Sequence, residues 1–244
     1  MAKVATAYDK EAILAEHVLL RHLKREELRQ LAGYAWVAHH PTHAVIFRKG
    51  DPGASMMAVL RGRVKICSYS LDGKELVLNI ISKGEFFGEI ALLDGEPRTA
   101  DAVAHEPCDL LVLERRHFLP FLERNPEVCL RLLTVLCQRL RRTSEQLEDT
   151  LFLEVPSRLA RALLRLAKAC GQKVPGGVRI DLKLSQQQLG ALVGITREST
   201  NKQLGEWQKE ELIAVKNGYI TILDMDTLED ICGGECDDID DFED

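Results

Sequence analysis

Residues 57–81, MAVLRGRVKICSYSLDGKELVLNII, decide the fold. Apolar, β-prone runs stand on either side of Asp72-Gly73, and that dipeptide between such runs is a hairpin signal. Working outward, AVIFRKGDPG (44–53) and DAVAHEPCDLLVLE (101–114) have the same texture of short strands broken by glycine or proline. From about His39 to Leu113 the spacing predicts a small antiparallel barrel or jelly roll.

The segments around this barrel read as helices. From Glu11 to Leu31, the positions Ile13, Leu14, Val18, Leu19, Leu23, Leu28 and Leu31 predict short amphipathic helices. Asn125-Pro126-Glu127 is a compact helix start: an N-cap side chain, a proline where no amide donor is missed, and an acid at the positive dipole end. The helix is expected to run to about Leu151. Leu133, Leu136, Leu140, Thr143, Leu147 and Thr150 follow each other at alternating steps of three and four, the seam of a parallel two-helix interface. Polar Thr143 in that seam calls for a partner.

Pro156 ends or redirects the long helix. SRLARALLRLAKAC (157–170) predicts an amphipathic helix, and GQKVPGG (171–177) a loop. In SQQQLGALVGITRESTNKQLGEW (185–207), Ser185 with Gln188 makes a capping box, Gly194 suits a left-handed turn, and Thr196 can cap the next helix. This is a helix-turn-helix pattern. Asn217-Gly218 within LIAVKNGYITIL (212–223) predicts a two-residue hairpin, a wing beside those helices.

Composition narrows the function classes. The 244 residues are 45% hydrophobic and 29% charged, ordinary for a soluble globular protein of one or two domains. No stretch is long and apolar enough for a membrane span, and MAKVATAYDKEA lacks a secretory core, so a cytoplasmic protein without a membrane partner is expected. The net charge of −6 hides an asymmetry: ECDDIDDFED (235–244) holds seven acids and no base, and the rest carries 32 bases against 31 acids. From Pro156 to Asp226, eleven Lys and Arg stand against seven acids, which leaves a polyanion partner open.

The seven cysteines form no Cys-x-x-Cys pair, and several occupy apolar periodic stretches as small hydrophobes. Cys232 and Cys236 beside the tail are read as solvated rather than metal-binding. His39, His40 and His43 are read as a loop entering the first strand, and no metal site is expected. Without a Gly-x-Ser-x-Gly, His-Glu-x-x-His or Walker sequence, no enzyme is expected.

The chemistry concentrates in GEFFGEIALLDGEPRTA (84–100). Arg98 can grip a phosphate with paired donors and stays ionised. Gly88 permits close backbone approach, Glu89 offers a carboxylate to a sugar hydroxyl, and IALL can begin a helix facing an anion. Farther on, helical geometry places Arg197, Glu198, Asn201 and Lys202 along one face near a helix N-terminus, beside Thr196 and Ser199. Arginine and lysine there can address guanine, and glutamate can accept from cytosine N4.

On these residues the chain resembles the CRP/FNR family of bacterial transcription regulators, from the N-terminal helices to the wing. FGEIALLDGEPRTA resembles the family's phosphate-binding cassette, which implies Gly88 and Glu89 at the ribose, Arg98 and Thr99 at the cyclic phosphate, and Ile90, Ala91 and Ala100 lining the cassette. QRLRRTSEQL resembles the RRLQVTSEKV of cyclic-nucleotide-responsive members. That implies Thr143 and Ser144 at the adenine, one from each subunit, and a pairing of Arg139 with Glu89.

The implied architecture is α+β: an N-terminal cyclic-nucleotide-binding β jelly roll (1–124), a long dimerisation helix and hinge (125–154), a C-terminal winged helix-turn-helix (155–226) and an acidic tail (227–244). The implied effector is cAMP. Thr99 leaves cGMP open, since a hydroxyl there meets the guanine amino group in eukaryotic cGMP-selective cassettes. The implied partners are double-stranded DNA at a palindromic TGTGA-like site, a second copy forming a homodimer, and RNA polymerase. Lys202 stands where cAMP-responsive members have arginine. Iron–sulfur members cluster N-terminal cysteines, and none lies before Cys67 here, so no cluster is expected.

Overall fold

The computed structural model describes residues 8–16 and 20–233. The chain separates into two compact units, Met1–Leu140 and Arg141–Asp244.

In the first unit, α1 (Lys10–Glu16) and α2 (Arg25–Tyr34) precede β1 (Trp36–His40), β2 (Val45–Phe47), β3 (Ser55–Arg61), β4 (Val64–Tyr69), β5 (Glu75–Ile81) and β6 (Phe86–Phe87). Then come α3 (Glu89–Asp94), β7 (Asp101–Ala104), β8 (Cys108–Glu114), α4 (Arg115–Arg124) and the start of α5 (Pro126–Phe152). The strands form two four-stranded sheets, β1-β8-β3-β6 and β2-β7-β4-β5, whose pairings are all antiparallel. This is the jelly roll that the strand texture predicts. The hairpin at Asp72-Gly73 closes through Ser70–Lys74, with Gly73 left-handed at φ +76°.

Strand β8 explains how the helices attach. Leu110 and Val112 pack with Val59, Val64, Ile81 and Phe87 between the sheets. Leu111 and Leu113 point the other way, into a cluster with Leu28 and Leu31 of α2, Phe118 and Phe121 of α4, and Val128 and Leu132 of α5. A strand covered on both faces reads as a continuous apolar run, and each fully buried leucine contributes roughly 1.5–3 kcal/mol. Of the predicted N-terminal helical positions, Val18 and Leu19 lie outside the described residues.

Three expectations in this unit are corrected. His39 and His40 belong to β1 rather than to a loop, and His39 Nδ1 lies 2.6 Å from Asp109 Oδ1. His43 does sit in the following turn, at φ +65°. Asn125 does not cap α5: its side-chain amide donates to the Phe121 carbonyl at 2.8 Å and so closes α4 instead. Finally, Leu136 is half-buried against the helix–barrel cluster. Of the expected line, Leu133, Leu140, Thr143, Leu147 and Thr150 are exposed and Leu136 alone departs from it; an exposed stripe at alternating steps of three and four also runs through Leu130, Leu133, Cys137, Leu140, Ser144, Leu147 and Leu151.

In the second unit α5 ends at Phe152, ahead of the break expected at Pro156, and that proline sits in the first turn of α6 (Val155–Cys170). The stretch 171–177 is not a loop. It forms β9 (Gly171–Val174) and the start of β10 (Gly177–Ile180), joined through Pro175-Gly176 with Gly176 at φ +85°. After α7 (Gln186–Val193) and α8 (Arg197–Lys209), β11 (Ile213–Lys216) and β12 (Tyr219–Ile222) complete the sheet β11-β12-β10-β9.

The segment expected to begin a tail at 227 lies instead in α9 (Met225–Ile231), with Leu228 and Cys232 buried. Cys236 and residues 234–244 lie outside the described residues. No helix among the described residues is long and apolar enough to cross a membrane.

Candidate functional site

The cassette between β6 and β7 is built around one buried cation. Gly88 turns left-handed at φ +80° and starts α3, so the backbone carries Glu89 inward. Arg98 returns beneath it, 5% exposed. Its Nη1 donates to the Gly88 carbonyl at 2.7 Å, its Nη2 donates to the Ser55 carbonyl at 2.7 Å, and the guanidinium lies 4.2 Å from the Phe47 ring centroid.

Backbone bonds fix its position as well, Gly50 N donating to Arg98 O and Arg98 N donating to Asp51 O. The Nε is buried without a hydrogen-bond partner. Arg98 makes no ion pair with any described residue, so two carbonyl dipoles and a ring face stand where a carboxylate would normally be. Burial pulls its pKa down, while Glu89 and Asp51 partly restore it. A buried guanidinium with a spare donor is a receptor for an anion.

The surroundings keep that position close to the backbone. A Cβ at Gly88 would lie 2.6 Å from Arg98 Nη1, and one at Gly53 would lie 2.1 Å from Ala91 Cβ. Ala91 and Ala100 are buried, whereas Thr99 is exposed and Ile90 is largely exposed.

Glu89 is almost wholly buried and receives Arg139 Nη1 of α5 at 2.6 Å. Arg139 also donates to the Phe86 carbonyl and lies 4.6 Å from the Phe86 ring centroid. The cassette is thereby tied to the long helix through a charge pair beside the buried Arg98. Thr143 lies one turn beyond Arg139 on the same side of α5, while Ser144 falls in the exposed stripe. Reasoning from sequence misses Ser55 and Phe47, which hold Arg98. Neither carries a local motif, because strand pairing alone brings them there.

The second set of residues lies on α7 and α8. Ser185 and Gln188 form the expected capping box, Gly194 is left-handed at φ +69°, and Thr196 accepts from Ser199 N at 3.1 Å. The two helices meet at Gly190, where a Cβ would lie 2.7 Å from both Ile195 O and Thr200 Oγ1. Thr200, Leu204 and Trp207 turn into the core, which leaves Thr196, Arg197, Glu198, Asn201 and Lys202 exposed, with Ser199 half-buried. Asn201 Oδ1 accepts from Gln186 at 2.8 Å, fixing its orientation. Asn217 and Gly218 both have positive φ, as a tight wing hairpin requires.

Other groups carry less chemistry. Burial raises the Cys67 and Cys108 thiols, consistent with their reading as packed hydrophobes. Among the described residues no three His, Cys, Asp or Glu side chains come together to hold a metal.

Comparison with known proteins assigns a family to each of the two regions. Residues 37–125 match the family described as Cyclic nucleotide-binding domain, and residues 157–231 match Crp-like helix-turn-helix domain. The chain is 30% identical over 218 residues to a CRP-like cAMP-activated global transcriptional regulator of Mycobacterium tuberculosis, covering 89% of this chain and 97% of that protein. It is 29% identical over 197 residues to the cAMP-activated global transcriptional regulator CRP of Pasteurella multocida, covering 80% and 93%.

Among solved structures, a CRP/FNR-family transcriptional regulator from Thermus thermophilus superposes with a TM-score of 0.68 at 29% identity, covering 81% of this chain and 98% of that one. The c-di-GMP-responsive global regulator CLP of Xanthomonas campestris gives 0.71 at 25% identity, covering 82% and 99%. With a nucleotide-type cassette and a capped helix-turn-helix on one chain, the chain belongs to the CRP/FNR family of transcription regulators, which are not enzymes.

Proposed function

We propose that the chain is a cAMP-responsive transcription regulator that works as a homodimer on a palindromic, TGTGA-like DNA site. The observation that carries this reading is Arg98, a buried guanidinium with an orphan Nε and no carboxylate partner among the described residues. A cyclic phosphodiester supplies the missing anion, with Thr99 beside it. Gly88 and Glu89 take the ribose, and Ile90, Ala91 and Ala100 line the cassette.

The face on which each residue of α5 lies supports distinct roles. Thr143, on the Arg139 side, meets the base held by its own chain, and Ser144, in the exposed stripe, meets the base held by the partner subunit. Two copies joined along the stripe of Leu133, Leu140 and Leu147 present two α8 helices with twofold symmetry. The half-sites then lie about one helical turn apart. Arg197, Glu198 and Lys202 read base edges, and Thr196, Ser199 and Asn201 hold the helix to the groove.

The functional division is a nucleotide-binding domain to Arg124, a connecting helix and hinge to Glu154, and a DNA-binding unit from Val155 that includes α9. The pair Glu89–Arg139 couples cassette to helix. Nucleotide shifts the DNA-competent population only by its differential affinity for that state, through α5 and the hinge at Leu153-Glu154. The response works in the cytoplasm, where promoter DNA and RNA polymerase are found.

Calorimetric titration with cAMP and with cGMP tests the reading. Micromolar or tighter binding of cAMP, lost in Arg98→Ala and accompanied by nucleotide-dependent binding to a palindromic duplex, is expected. Tighter cGMP binding would reassign the effector through Thr99. DNA affinity that is equal with and without either nucleotide would overturn the switch.

A further inference from the structure

The chain carries its own polyanion. Residues 235–244, ECDDIDDFED, hold seven carboxylates and no base. They follow directly on the DNA-binding unit, and the point where they leave it is fixed. Ser157 Oγ donates to the Ile231 carbonyl at 2.8 Å, and Arg161 Nη2 donates to the Cys232 carbonyl at 3.2 Å, with Cys232 buried.

The same unit exposes cations that lack carboxylate partners. Arg197 and Lys202 on α8, Lys216 on the wing and Lys173 on β9 are exposed and form no ion pair with any described residue. Glu198 is the one acid in the first turn of α8, while Glu206, Glu210 and Glu211 lie at its far end. A basic face and an acidic segment on one unit attract each other with the same donors that phosphates use.

Reach and concentration allow the contact. Eleven residues follow Gly233, and a chain of that length spans up to roughly 36–40 Å. A unit of this size has a radius of gyration of about 13 Å. A tethered segment of such length acts at an effective concentration on the order of millimolar.

We propose that residues 235–244 dock on the exposed basic face of α8 and the wing of their own DNA-binding unit, standing in for DNA phosphates. The proposal rests on the reading of α8 as the DNA-facing helix. Random DNA, held mainly by phosphate contacts, must displace the tail for the same electrostatic gain. A specific site adds base contacts that the tail cannot imitate. The tail therefore lowers both affinities by a common factor, and the weaker nonspecific complexes are the first to fall below occupancy.

The test compares the full chain with a variant in which all seven tail acids are neutralised (Glu235→Gln, Asp237→Asn, Asp238→Asn, Asp240→Asn, Asp241→Asn, Glu243→Gln and Asp244→Asn). Fluorescence anisotropy on a random-sequence duplex is expected to show at least tenfold tighter binding by the variant at about 50 mM salt, closing to within about twofold near 0.5 M as screening sets in. A synthetic peptide of residues 234–244, added to the variant at constant ionic strength, is expected to weaken duplex binding and to shift the amide resonances of 197–202 and 216–218. Its Asn/Gln counterpart is expected to do neither.

Equal affinities at every salt concentration would overturn the proposal. So would a tighter variant on which the peptide has no effect, since that is long-range repulsion without docking. If neither chain binds any duplex, the DNA reading fails, and the amide shifts alone still decide whether the tail docks.

Discussion

Arg98 donates to the Gly88 carbonyl at 2.7 Å, and a Cβ on residue 88 would lie 2.6 Å from the same Nη1. The glycine is required twice, for its left-handed φ of +80° and for the space the guanidinium occupies. Gly88→Ala is expected to cost about 1–2 kcal/mol of stability from backbone strain. It is also expected to weaken cyclic-nucleotide binding by at least tenfold, because Arg98 must move. Urea unfolding and calorimetry on the same preparation check this, and nucleotide affinity within twofold of the parent would show that Arg98 does not hold the ligand.

The proposed dimer surface gives a sharper test, because the spacing and the structure differ over Leu136. Spacing alone puts Leu136 in the seam. In the structure Leu136 packs against the barrel cluster, and Leu140 stands 68% exposed. Leu140→Glu is expected to dissociate the dimer in sedimentation velocity with little effect on monomer stability. Leu136→Ala is expected to leave the dimer intact and lower stability by about 2–3 kcal/mol. A dimer weakened by Leu136→Ala would return Leu136 to the seam as spacing alone has it, and a dimer indifferent to Leu140→Glu would remove from the seam a residue that both readings place there.

That disagreement shows where the sequence is legible. A three-four repeat fixes a periodicity, but when a helix has apolar residues on two faces it does not say which one meets a partner and which meets its own barrel. Residues 115–124 do not announce a helix, because Pro120 and four basic side chains mask the face formed by Phe118, Phe121 and Leu122. Gly171–Ile180 reads in part as a loop, since its glycines and proline outweigh short strands that need β12 beside them. By contrast, Gly194, Asn217-Gly218 and the Ser185 box are legible because each rests on local backbone chemistry. Arg98 is legible as the cation of the cassette, but its supports Ser55 and Phe47 are not, being 43 and 51 positions away in sequence.

Asp109 makes the N-terminal segment sensitive to acid. It is 5% exposed, accepts from Tyr8 and His39, and pairs with the Arg61 Nε at 3.0 Å. Burial alone would raise its pKa, but the hydrogen bonds from Tyr8 and His39 and the charges of Arg61 and His39 together hold it below the ordinary aspartate value. A carboxylate depressed in the folded state contributes stability that is present above its unfolded pKa, near 4, and is lost as pH falls through the folded value. Asp109→Asn is expected to cost about 1.5–3 kcal/mol at pH 7, with the gap to the parent narrowing below about pH 4. A gap that stays constant from pH 7 to pH 3 in urea titrations would mean that the carboxylate charge is not what holds the cluster.

In the proposed DNA interface, Lys202 is placed to bear on specificity. It is exposed on the α8 face beside Asn201, whose orientation is fixed by Gln186. An ammonium addresses guanine as a point charge, whereas a guanidinium can bond O6 and N7 together. Lys202→Arg is therefore expected to increase discrimination at one guanine of each half-site by about 1–3 kcal/mol, roughly 5- to 150-fold. Nonspecific affinity and its salt slope should stay unchanged, since the charge is conserved. Anisotropy titrations on duplexes with each base at that position separate the outcomes: a uniform rise over all four bases would assign Lys202 to a phosphate, and no change would remove it from the DNA interface.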